Sequence, residues 1–285
     1  MKIAITGVSG FVGTTLKNHF IGNGHEVVSI GRSDLLSLFQ LTKKIDGCDV
    51  VINLAGASII ARWTPEYKEL LRSSRIDSTA TLTQAILHSE TKPKLLISTS
   101  AVGIYANDGI YDEVEYKYSD DFLGNLCQEW EKTAFEAKSD ETRVAIFRFG
   151  IVLGKDGGAL AKMLTPFKFG VGGTIGNGNQ AFSFIHIEDL VRAYDFVINH
   201  EDLDGVFNLT SPKPTTNKGL TQALGKALNR PTFLPLPEFV LNLIFGEGAK
   251  VLTDGQSAIP LRLMESGFEF KYKNIDYTID DLINR

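Results

Sequence analysis

The run Thr6-Gly7-Val8-Ser9-Gly10-Phe11-Val12-Gly13 follows an apolar segment, Ile3-Ala4-Ile5, and leads into a helical pattern. No other feature of this chain restricts its fold as strongly. Glycines at positions 7, 10 and 13 suit a strand-to-helix turn in which bare backbone approaches a diphosphate. The exposed N–H groups and the helix dipole meet the negative charge, and the last glycine lets the helix pack on the sheet. Glycine triplets are common; the strand before this one and the helix after it supply the context that a dinucleotide site requires.

The rest of the first half repeats the same alternation. Short Val- and Ile-rich runs predict strands near 2–6, 26–30, 49–53, 94–99 and 142–147, with helices over 11–22, 65–88 and 121–138 between them. Continuous apolar strands separated by crossover helices predict an α/β fold. The expected architecture is a Rossmann-type doubly wound parallel sheet with helices on both faces, over residues 1–150. From Gly150 onward glycines at 154, 157, 158, 170, 172, 173, 176 and 178 suggest a loop region shaped around a ligand. A strand over 181–187 and a helix over 188–200 follow, and part of 180–210 is expected to return to the sheet. Residues 151–285 read mainly as a smaller C-terminal α+β substrate region with a helical extension broken by prolines. Within it, Phe239 to Phe245 is too short to span a bilayer and contains Asn242, which predicts a buried helix.

Composition excludes several classes of partner. A net charge of −5 over 285 residues offers no basic stripe for nucleic acid or an anionic membrane. Met1 to Gly7 enters a strand at once, without a charged leader and apolar core, so a cytoplasmic location is expected. Cys48 and Cys127 match no metal or redox spacing; reduced thiols and no metal are expected.

The cofactor cradle falls on Gly7, Ser9, Gly10, Phe11, Val12 and Gly13. The second strand ends at Ile30-Gly31-Arg32, where an NAD-preferring site would place a carboxylate for the ribose hydroxyls. A guanidinium there pairs instead with a 2′-phosphate, so Gly31 and Arg32 point to NADP(H). Leu54, Ala55 and Gly56 end the third strand with small residues over which a dinucleotide can pass. Arg62 and Arg75 bracket the next helical segment; Arg75 is assigned to the cofactor and Arg62 to an anionic substrate. Arg148, ending a later strand, is placed in the substrate pocket, and His186 is read either as a substrate-facing base or as a structural histidine.

The Thr-Gly-x-x-Gly-x-x-Gly turn, Asn53-Leu54-Ala55-Gly56 and Ser98-Thr99-Ser100 resemble extended short-chain dehydrogenases/reductases. Arg62-Trp63-Thr64, Ser74-Arg75-Ile76, Arg148-Phe149-Gly150, Phe182 to Ile187 and Gly255-Gln256 resemble more closely the atypical NAD-dependent epimerase/dehydratase subfamily, including the C-terminal extension with Arg230-Pro231 and Pro235-Leu236-Pro237. The resemblance implies a cofactor contact at Thr99 and a catalytic serine at Ser100. It also exposes a departure. The superfamily's Tyr-x-x-x-Lys, with tyrosine as acid/base and lysine lowering its pKa, falls on Leu123 and Cys127. Leucine transfers no proton and a thiol is no fixed cation. Tyr105, on the loop after the Ser100 strand, is the expected substitute acid, with a packing role as the alternative. Two functions remain open: an NADP(H)-dependent oxidoreductase or epimerase-like enzyme on a small molecule, by family analogy a nucleotide sugar, and a catalytically silent NADP(H)-binding redox sensor or regulator. Relatives that pair through the helices over 65–88 and 121–138 imply a homodimer.

Overall fold

The computed structural model describes residues 1–155 and 157–284. Asp156, inside the glycine-punctuated stretch, and Arg285 lie outside the described residues. The first half alternates as the apolar spacing predicts: β1 (Lys2–Thr6), α1 (Phe11–Gly22), β2 (Glu26–Ile30), α2 (Leu38–Ile45), β3 (Val50–Asn53), α3 (Pro65–Ser73), α4 (Ile76–His88), β4 (Leu95–Ala101), a short β5 (Ile110–Tyr111), α5 (Phe122–Phe135) and β6 (Arg143–Phe149). All four residues of β3 are buried, without alternation, because helices cover both faces of the sheet.

The helix expected over 65–88 is two helices. Pro65 opens α3 behind Thr64, whose hydroxyl caps the N–H of Tyr67. Ser74 ends it by accepting the N–H of Ala57 and donating to the carbonyl of Leu71. A side chain that bonds backbone in this way competes with helix continuation, which no apolar periodicity reveals.

After β6 the chain leaves the sheet through β7 (Ile151–Gly154), α6 (Gly158–Lys168), β8 (Ala181–Phe182) and β9 (Phe184–His186), then returns through α7 (Ile187–Asn199) and β10 (Gly205–Leu209). β10 pairs with β6 in parallel, Gly205 opposite Ala145. The completed sheet has six parallel strands in the order β2-β1-β3-β4-β6-β10. Leu16 and Phe20 of α1 and Tyr194 and Val197 of α7 pack with Ile3, Ile52 and Ile97 on one face. Leu41 of α2, Leu82 and Ile86 of α4 and Ala134 of α5 pack with Ala4, Val51 and Leu96 on the other. The fold is therefore α/β, a Rossmann-type doubly wound sheet. The remainder comprises β11 (Thr215–Thr216), α8 (Asn217–Leu228), α9 (Glu238–Phe245), α10 (Lys250–Thr253), β12 (Ser257–Ala258), α11 (Leu261–Glu265) and α12 (Ile275–Asn284). A second core joins Leu160 of α6, Leu220 and Leu224 of α8 and Ile279 of α12 to β7–β9.

Two expectations change. The stretch after Gly150 is not all loop, because Ala159 to Leu164 are strong helix formers and build α6. Helix α9 is not buried: Leu241 is packed, but Phe239 and Leu243 are 71% and 75% exposed. A short helix apolar all round reads as buried from sequence, yet among the described residues no neighbour covers one side of α9. Among the described residues no helix is long and apolar enough to cross a membrane.

Candidate functional site

The strand order reverses between β1 and β3, and ligands of open α/β sheets bind outside the carboxyl ends of the strands at such a point. A cleft of about 590 Å³ opens there. Thr6, the last residue of β1, joins its two sides: its hydroxyl donates to Asn53 Oδ1 at 2.8 Å and accepts the N–H groups of Leu54 and Ala55 at 2.9 and 3.1 Å.

Gly7 turns the chain with φ +64°, and a Cβ there would stand 2.7 Å from the carbonyl oxygen of Leu54. At Gly13 a Cβ would lie 2.3 Å from the carbonyl oxygen of Gly7. Both positions thus need glycine, the first for its conformation and the second for the close approach of helix to turn. Gly10 caps α1 without a side chain, and the first helical hydrogen bond runs from the N–H of Thr14 to its carbonyl at 2.8 Å. The N–H groups of Phe11, Val12 and Gly13 consequently have no acceptor within the helix. All three residues line the cleft, together with Gly7, Gly10, Leu54, Ala55, Gly56, Arg75, Thr99 and Ser100.

Arg75 is fixed from two sides, donating to the carbonyls of Leu71 and Ala57 at 3.2 and 3.0 Å, with its guanidinium 5.3 Å from the Trp130 ring centre. Deeper in the cleft stand Leu123 and Cys127 of α5. Burial pushes the Cys127 thiol up to about 12, and the Glu131 carboxylate adds to this against the opposing pull of Arg75. The position is neutral. Facing it is Ser100, 1% exposed, whose Oγ has no hydrogen-bond partner among the described residues.

Seven of the expected residues do not line the cleft. Tyr105, assigned as the acid, is fully buried, donates to Asn208 Oδ1 and accepts from Arg148 Nη1, each at 2.8 Å. Burial pushes its phenol up to about 12, only partly offset by the Arg148 charge. Arg148 is itself 2% exposed and committed to Glu131, donating Nε and Nη2 to the two carboxylate oxygens at 2.7 Å each. His186 stacks on Tyr272 with ring centres 3.6 Å apart, and its Nδ1 accepts the N–H of Glu188. Arg62 reaches the Leu243 carbonyl at 2.9 Å, holding α9. Ser9, Gly31 and Arg32 lie outside the cleft wall; Arg32 is exposed at the end of β2 and makes no hydrogen bond or ion pair among the described residues. The turn beside it is tied by Asp34, which accepts from Gly31 N–H and from Lys44, both at 2.7 Å, and the Lys44 bond holds its carboxyl below the usual range.

The cleft also gathers residues that spacing did not single out. Ile59 and Ile60 come from the loop after β3, Met163 from α6, Phe182 from β8, and Lys250 to Leu252 from α10. They arrive from segments far apart in the chain, each reading locally as packing.

A family model described as the NAD dependent epimerase/dehydratase family matches residues 3–210 of this chain. The chain belongs to that family. It is an atypical extended short-chain dehydrogenase/reductase, and a domain of unknown function, DUF1731, matches residues 236–282, from the end of the proline-rich segment into α12. The chain is 38% identical to the chloroplastic epimerase family protein SDR39U1 homolog of Arabidopsis thaliana, over 96% of this chain and 84% of the relative. It is 37% identical to the epimerase family protein SAR0825 of Staphylococcus aureus (strain MRSA252), over 99% and 98%. A crystal structure of human epimerase family protein SDR39U1 (isoform 2) with NADPH superposes with a TM-score of 0.92 at 32% identity, over all of both chains.

Proposed function

We propose that this protein binds NADP(H) across the carboxyl ends of β1, β3 and β4 and works as an oxidoreductase or epimerase-like enzyme on a small molecule. The first turn of α1 carries the reading: three N–H groups without helical acceptors, at the positive end of a 12-residue helix, beside a turn kept bare by Gly7 and Gly13. A diphosphate fits such an end by hydrogen bonding and by the helix dipole. The choice of the phosphorylated cofactor rests on the unengaged guanidinium of Arg32 and on the NADPH held by the human relative. When bound, the nicotinamide supplies hydride transfer. Ser100 orients a substrate carbonyl or hydroxyl by donating its otherwise unpartnered hydroxyl. Carbonyl reduction consumes one proton, which this reading draws from solvent, since Leu123 has none and the Cys127 thiol holds its own.

Calorimetric titration with NADPH and NADH tests the cofactor. NADPH is expected to bind about tenfold more tightly than NADH, and Arg32→Ala to abolish the difference, the size of one charge-assisted contact. Equal weakening of both cofactors by Arg32→Ala would remove Arg32 from the 2′-phosphate.

A second reading, binding without turnover, is favoured by Leu123 and Cys127 in the cleft wall. NADPH oxidation followed across a panel of carbonyl compounds separates the two: tight binding with no turnover anywhere supports the silent protein. The homodimer through α3–α4 and α5 is likewise a proposal, for which light scattering at twice the monomer mass is the expected result.

A further inference from the structure

We propose that the substrate half of this cleft takes a small carbonyl compound with an apolar alicyclic or aromatic body, and not a nucleoside diphosphate sugar. The proposal deepens the oxidoreductase reading and rests on it only for what fills the other half. Charge is the first argument. Among the described residues lining the cleft the cations are Arg75 and Lys250, matched by the carboxylates Asp121 and Asp254. Lys250 is exposed at the rim, and Arg75 is already bound to two backbone carbonyls. Sites that recognise phosphoryl groups use arginine forks or lysine charges aimed at the oxygens. The wall therefore offers no free, inward-facing cation for a second diphosphate beside that of the cofactor.

The second argument is hydrogen bonding. A sugar needs several donors and acceptors that are not otherwise engaged, and here most polar side chains of the wall serve the protein itself. Asn217 accepts the N–H of Ile175, Gln180 donates to the Ile175 carbonyl, Ser183 donates to the Gln256 carbonyl, and Asp121 caps α5 at Gly124. What remains is the pair of neighbouring hydroxyls of Thr99 and Ser100, both buried and without a hydrogen-bond partner among the described residues, and the side-chain amide of Gln256. The same cleft is walled by Ile59, Leu123, Leu126, Met163, Phe182 and Val251. A wall of this kind desolvates an apolar body favourably and leaves a polyhydroxylated ring with unpaired groups. A single carbonyl or hydroxyl group, met by Ser100 with Thr99 beside it, is closer to the polarity that such a wall satisfies than a ring bearing several hydroxyls.

The test titrates the whole protein calorimetrically with 1-naphthaldehyde, 1-methylnaphthalene and UDP-glucose, with and without saturating NADPH. The aldehyde is expected to bind at least about tenfold more tightly than UDP-glucose. Ser100→Ala should weaken the aldehyde about fivefold and leave 1-methylnaphthalene unchanged, as the loss of one hydrogen bond requires. Leu123→Lys should weaken both aromatic compounds about tenfold or more by placing an ammonium in the apolar wall. UDP-glucose binding as tightly as the aldehyde, no aldehyde binding in either state, or indifference to Leu123→Lys would each overturn the proposal. NADPH titrated alone decides the cofactor reading separately, because the ligand comparison is also made on the protein without it.

Discussion

The phenyl ring of Phe11 fills the space that a side chain at Gly157 would need, its Cδ2 lying 2.5 Å from where a Cβ would stand. The backbone of Gly157 is extended, with φ 179°, a conformation open to any residue, so what the position requires is room. Gly154 yields to the same ring, since a Cβ there would stand 2.4 Å from its Cζ. The first residue of α1 is thus seated on the strand-to-helix connection of the smaller region. Gly157→Ala should push the ring into the cleft and cost about 1–3 kcal/mol of stability, as overpacking does. NADPH should bind about tenfold more weakly, and Phe11→Ala in the same chain should recover most of that loss. Unchanged NADPH affinity in Gly157→Ala would show that the ring and the cofactor do not share this space.

The Arg148–Glu131 pair predicts a large effect on stability. Glu131→Gln leaves a buried guanidinium without its counter-charge, which costs about 3–5 kcal/mol in such pairs. Tyr105→Phe removes one hydroxyl from the same network and should cost about 1–3 kcal/mol in urea unfolding. The catalytic constants of Tyr105→Phe should match those of wild type, because that hydroxyl does not reach the cleft. A loss of turnover at undiminished stability would return Tyr105 to the chemistry.

The two thiols should be inert in the native protein. Burial pushes Cys48 up to about 11 and Cys127 up to about 12, and the thiolate is the reactive form. A thiol-exchange reagent at pH 8 should label neither residue until denaturant is added, and then both. Rapid native labelling, located by mass spectrometry at Cys127, would mean that the cleft carries a reactive sulfur.

Stability should fall on mild acidification through His186. Burial holds its pKa below the ordinary value, against the pull of Asp281, Asp189 and Glu188. The unfolded chain therefore takes up the proton first, at about pH 6.5, and the native state loses stability as the pH falls from there toward the lowered value. His186→Asn keeps an acceptor for the Glu188 N–H but removes this titration. The stability difference between wild type and His186→Asn, measured by urea unfolding, should shrink from pH 7 to pH 5.5. A constant difference would sink the assignment.

The sheet and the cradle were legible because their signals are local: β3 is apolar throughout, and Gly7, Gly10 and Gly13 fall within one turn. Leu123 and Cys127 could be placed for the same reason, by counting along a single helix. What could not be read locally depended on partners distant in the chain. Arg148 at a strand end looks free until Glu131, on the preceding helix, is folded against it, and the two readings of His186 stay level until Tyr272 covers its ring. Exposure of α9 was equally hidden, since eight residues that are mostly apolar say nothing about whether a neighbour exists.

The return of β10 to the edge of the sheet makes the two regions inseparable. The chain crosses between them near Gly150, at the junction of β9 and α7, after β10, and again around α11, where Leu263, Phe268 and Phe270 join the core beneath α7. With α12 returning to the second core, five crossings of this kind leave no single hinge about which the smaller region can rotate. A fragment ending at residue 150 would lack the outer strand β10 and helix α7, which shares with α1 the task of shielding one face of the sheet from water.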